Sequence, residues 1–173
     1  MTQVWGLTSA EHPRFWFYVP YESNSVRAIE FVLQDDRDET LYRTSVSIPS
    51  KVGIVRVQVP TTANPLEPNR QYHWFFKVKA ACDPNQPETL EYVEGWVQRM
   101  SLDATLRDRI SQASPQQRAA LYAEKGIWHD ALTTLAELRR ANPNDGAIAK
   151  DWTDLLKAVG LENLANQPLL DTQ

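Results

Sequence analysis

Residues 119–145 read AALYAEKGIWHDALTTLAELRRANPND. Apolar residues recur at helical spacing on both sides of Gly126, and Pro143 closes the second run. That period predicts two short helices joined by a tight turn. Tyr122, Ala131, Leu135 and Leu138 mark the faces that meet, with Ala131 small enough to let the helices approach. The pattern occurs once. A lone hairpin cannot bury its own apolar face, so this one has to dock on another part of the chain.

Upstream of it the apolar period is two, not 3.6. Candidate strands span 3–7, 14–21, 26–35, 39–48, 53–60, 71–82 and 89–100. They are separated by Pro13, the run Asp35-Asp-Arg-Asp-Glu39, Pro49, Pro65, Pro68 and the stretch 83–87. Ile29, Phe31 and Leu33 share one strand face, as do Val55, Val57 and Val59. About seven such strands with regular turns predict an antiparallel β-sandwich. The fold class expected is therefore α+β. Residues 1–100 form the sandwich. Residues 101–173 form a small helical unit packed on it, with a hairpin at 114–143 and a closing helix at 145–159.

Helix punctuation supports the second half. Ser101 is the expected cap of a first helix ending near Gln112. Ser114-Pro-Gln-Gln117 combines a cap, proline at the first helical position and a capping-box glutamine. Gly160 stops the last long helix, 161–165 adds a turn, and fraying is expected past Pro168.

Three strands are apolar on both faces: Phe15 to Val19, the strand holding Tyr72, Trp74, Phe75 and Phe76, and the strand holding Tyr92, Val93, Trp96 and Val97. A sheet with two apolar faces needs a cover. Phe75, Tyr92 and Trp96 are thus either the seat of the helices or an open aromatic face. The rarity of large exposed apolar patches favours the seat. Burial there implies a cost of about 3–5 kcal/mol for Trp96→Ala.

Several runs carry resemblances. Residues 119–145 resemble a single tetratricopeptide hairpin, followed by a helix like the one that ends such arrays. Leu66-Glu-Pro-Asn-Arg-Gln-Tyr72 followed by Trp74, Phe76 and Val78 resembles the fibronectin type III corner. That likeness implies a Tyr72 hydroxyl bonded back to the loop, with 71–82 the penultimate strand. Phe15-Trp-Phe-Tyr-Val-Pro-Tyr21, Glu30-Phe-Val-Leu-Gln-Asp35, Tyr72-His-Trp74, Glu94-Gly-Trp-Val-Gln-Arg99, Leu121-Tyr-Ala-Glu-Lys-Gly-Ile-Trp128 and Asp130-Ala-Leu-Thr-Thr-Leu-Ala-Glu-Leu-Arg-Arg140 resemble the cyanobacterial domain of unknown function 928 family. That family has no assigned activity, so the resemblance implies no catalytic residue. It suggests export to the cell envelope only weakly, because Met1-Thr-Gln-Val-Trp5 has no charged start followed by an apolar run.

Composition narrows the function. The net charge of −4 and the lack of a basic stripe argue against nucleic acid. No run approaches the ~20 apolar residues of a membrane span, so no membrane insertion is expected. One cysteine, Cys82, allows no internal disulfide. His12, His73 and His129 show no metal-ligand spacing with it, and no phosphate loop or nucleophile elbow is present. The acidic run 35–39 lacks the glycine and ligand alternation of a calcium loop and reads as a hairpin turn. No catalytic, cofactor-binding or metal residue is expected.

The expected function is a non-catalytic protein-interaction or scaffold module, a fold-level analogy. Arg118, Lys125, Arg139 and Arg140 are the candidate contacts to an acidic partner, against the plainer reading of a solvated helix face. The alternative is a carbohydrate-binding module stacking sugars on Trp16, Tyr18, Phe75, Tyr92 and Trp96. Oligomeric state cannot be read from these patterns.

Overall fold

The computed structural model of the chain describes residues 5–81 and 87–171. Seven strands come first: β1 (Trp5–Thr8), β2 (Arg14–Val19), β3 (Val26–Gln34), β4 (Thr40–Ser45), β5 (Gly53–Gln58), β6 (Gln71–Ala80) and β7 (Thr89–Arg99). Helices α1 (Ala104–Gln112), α2 (Pro115–Glu124), α3 (Trp128–Ala141) and α4 (Gly146–Lys157) follow, then a 3-10 turn at Glu162–Leu164. The protein is α+β. Cys82 and the break 83–86, like the start of the first expected strand at Gln3 and Val4, lie outside the described residues.

Five strands form one mixed sheet in the order β1-β7-β6-β3-β4, and β2 pairs with β5 in a second. All pairings are antiparallel except β1 with β7, where Trp5 lies beside Trp96. The inward residues of both sheets share one core. Phe15 and Phe17 of β2 and Val55 and Val57 of β5 pack on Phe31, Tyr72, Trp74 and Phe76. Phe17 stacks on Phe76 with centroids 4.1 Å apart. Each large side chain so buried contributes about 1.5–3 kcal/mol. The Tyr72 hydroxyl accepts the Glu67 backbone N–H at 2.8 Å, tying the loop before β6 to the strand it precedes.

The acidic run is a hairpin turn between β3 and β4. Asp35 Oδ1 accepts the N–H groups of Arg37 and Glu39 at 2.9 and 3.0 Å, which holds its carboxyl below the usual range.

The helices do not sit where the aromatic count suggested. They cover the outer face of the two-stranded sheet, where Trp16, Tyr18 and Ile54 join Leu132, Leu135, Trp152 and Leu156. Trp16 Nε1 donates to Thr133 Oγ1 at 3.0 Å. Phe75, Tyr92 and Trp96 belong to the other sheet and remain uncovered by helices.

The first turn of α3 explains the choice. Asp130 accepts from Thr8 Oγ1 at 2.7 Å and from the Ser9 N–H and Oγ at 3.1 and 2.6 Å. These bonds pin α3 to the end of β1. His129 approaches β1 so closely that a Cβ on Gly6 would lie 2.5 Å from its Nε2, so glycine is required there. The same ring meets Phe15 edge-on at 4.9 Å. The start of α3 thereby closes the seam between β1 and β2, and the rest of the helical unit falls across β2 and β5.

Of the boundaries that differ from the sequence reading, two have a clear physical cause. Helix α1 is capped by Asp103, whose side chain accepts the Leu106 N–H at 2.7 Å, and not by Ser101. Met100 still donates to Thr8 at 2.8 Å, which keeps the chain extended past Ser101's neighbour. The tail also stays docked. Ile54 N–H bonds Pro168 and Leu170 N–H bonds Ile54, both at 2.8 Å, and Leu170 is buried in the core. Ser114 caps α2 as expected, with the reciprocal Gln117 bond present.

Candidate interaction face

The outer face of the five-stranded sheet is set by register. His73 and Phe75 of β6 and Trp96 and Tyr92 of β7 point away from the core, as does Trp5 of β1. Trp96 lies between two rings: Trp5 stacks on it at 5.7 Å and His73 at 4.4 Å. His73 also contacts Phe75 at 4.1 Å and pairs with Glu94 at 3.3 Å. Lys77 reaches over Phe75 at 5.5 Å and faces Glu30 at 3.8 Å. The result is an aromatic strip bordered by paired charges.

The strip leads to a more open region. Strand β1 pairs only with residues 96–99 of β7. Among the described residues, nothing pairs with that edge of β7 at residues 89–95. Leu90 and Tyr92 on the outer face are 61 and 56 % exposed, and Val93 on the inner face is 55 % exposed. Both faces of this half of β7 therefore carry exposed apolar side chains.

The residues singled out by sequence do not converge. Trp16 and Tyr18 lie under the helices, while Phe75, Tyr92 and Trp96 lie on the opposite outer face. The basic set is dispersed too. Lys125 caps the turn end of α2, whereas Arg139 and Arg140 sit at the far end of α3. Arg139 donates to the Ala165 carbonyl at 2.5 Å and lies 5.5 Å from the Trp152 ring; burial lowers its pKa. Arg140 pairs with Asp171, and Glu137 with Arg14. These charges hold the tail and β2. Arg118 is half-buried on α2.

The histidines stay apart: His12 contacts the Ala63 carbonyl at 3.1 Å, His73 stands on the strip, and His129 is buried in α3. Desolvation pushes His129 down to about 4, so it is neutral at pH 7. The same cause raises Asp130, opposed by its bonds to Ser9 and Thr8. Sequence reasoning missed Trp5 and His73 as strip members. Their face parity was readable, but the register that stacks them on Trp96 was not.

The family model described as Domain of Unknown Function (DUF928) matches residues 2–169. The chain belongs to this family. No curated protein matches it. Membership in DUF928 brings no assigned activity, so function rests on the geometry. No described helix is long and apolar enough to cross a membrane.

Proposed function

We propose that the protein is a non-catalytic interaction module whose protein partner docks on the open half of β7. The observation behind this reading is the strand edge at residues 89–95, which no described residue pairs, with Leu90, Tyr92 and Val93 all more than half exposed. An unpaired edge offers a row of backbone donors and acceptors to an added strand, and alternate side chains supply specificity. The aromatic strip extends that contact toward Trp5.

In this reading the scaffold is an immunoglobulin- or fibronectin-III-like sandwich carrying one tetratricopeptide-like hairpin. The sheet order and the Tyr72 hydroxyl bond support the first likeness. The turn at Gly126 and the α2–α3–α4 succession support the second. The glycan-binding alternative draws on the same strip. It is weakened by the stacking, since sugars need open ring faces and both faces of Trp96 are occupied.

A photo-crosslinking residue at position 92, against one at position 150 on α4, tests the proposal in native extract. A discrete protein adduct at 92 that is absent at 150 and lost with Leu90→Lys supports it. No adduct, or equal labelling at both positions, refutes it. A bound glycan lost on Trp5→Ala in an array screen favours the alternative.

A further inference from the structure

A second feature lies on the other side of the molecule. Helices α2 and α4 both pack on α3, and Gln116 Nε2 donates to Asp151 Oδ2 at 2.5 Å between them. Elsewhere the facing residues of α2 are Ala119, Ala120 and Ala123, too short to fill the span. The space between the helices and the two-stranded sheet is a cavity of about 1240 Å³. Small-molecule sites usually enclose roughly 300–1,000 Å³, so a ligand of ordinary size fits.

The walls have a consistent chemistry. Trp16, Tyr18, Leu132 and Leu156 make them apolar. Among the described residues, the only formally charged ones lining the space are Asp151 and Asp154, with no lysine or arginine. An anionic ligand would meet no counter-charge there. Val159 and Leu161 add an exposed apolar lip.

The geometry points to a binding site, between the helices and the two-stranded sheet, for an uncharged apolar small molecule. The apolar body lies against Trp16, Tyr18 and the alanines of α2. Trp5 lines this site and also ends the aromatic strip, but no residue of the open half of β7 lines it, so neither reading depends on the other.

The test is titration of the full chain with Nile red, a neutral dye with a carbonyl acceptor, followed by competition with farnesol and with palmitate. Saturable one-to-one binding is expected, displaced by farnesol at tenfold or lower concentration than by palmitate. Ala123→Phe, on an exposed helix position, fills the cavity and is expected to weaken binding at least tenfold with the melting temperature unchanged within two degrees. No saturable binding, equal displacement by palmitate, or undiminished affinity in Ala123→Phe overturns the site.

Discussion

Replacing His129 by leucine removes a titrating ring from the seam between β1, β2 and α3 while keeping an apolar side chain against Phe15. In the folded protein, burial pushes this imidazole from 6.5 to about 4. A folded-state pKa below the unfolded one means that the unfolded chain takes up a proton which the folded chain refuses. The stability tied to the neutral ring is therefore complete above pH 6.5 and is lost as pH falls toward 4. At about 1.4 kcal/mol per pH unit, the whole span amounts to about 3 kcal/mol. Asp130 acts in the opposite sense. Its raised carboxyl pKa makes the ionised form costly, so its part of the stability is present at low pH and lost as pH rises through its folded value. Both proteins keep Asp130, so the difference between them isolates His129. Urea unfolding from pH 4 to pH 8 at constant ionic strength is the assay. The wild type should lose about 3 kcal/mol relative to His129→Leu between pH 6.5 and pH 4. Parallel curves would refute the burial of a neutral ring at this seam.

Three further substitutions probe the architecture. Tyr72→Phe deletes the hydroxyl that accepts the Glu67 N–H and should cost about 1–2 kcal/mol in urea unfolding, with activity of any docking face unaffected. Trp152→Ala empties a fully buried site on α4 and should cost about 3–5 kcal/mol, whereas Trp96→Ala should cost only about 1–2 kcal/mol because that ring is half-buried. Equal losses for the two tryptophans in a thermal-melt comparison would contradict the placement of the helices.

The sequence was most legible where a single residue's local chemistry decides the backbone. Ser114, Pro115 and Gln117 start α2 by themselves, because the capping bonds span only three residues. Gly126 and Gly160 turn the chain with φ of 69° and 75°, a conformation that glycine adopts without strain. Alternation placed the β3, β5 and β6 core faces correctly, since a period of two needs no knowledge of the partner strand. It failed where a face depends on what lies opposite. Phe15 to Val19 and Tyr72 to Val78 both carry aromatic residues on their outer sides in sequence, Trp16 and Tyr18 in one and Phe75 in the other, yet only the first is covered by helices.

The chain by itself determined that it is α+β, that its strands precede its helices, and that the helical hairpin must dock on something. Those features follow from short-range periodicity and turn chemistry. Tertiary structure decided the docking face. The Asp130 carboxylate meets Thr8 and Ser9 across more than a hundred residues, and His129 settles against Gly6. These contacts draw the helices onto β2 and β5. They leave the strip from Trp5 to Tyr92 in water and border an apolar cavity between the helices and the two-stranded sheet. Long-range pairings of this kind depend on which residues meet in space, and no local period in a single sequence records that.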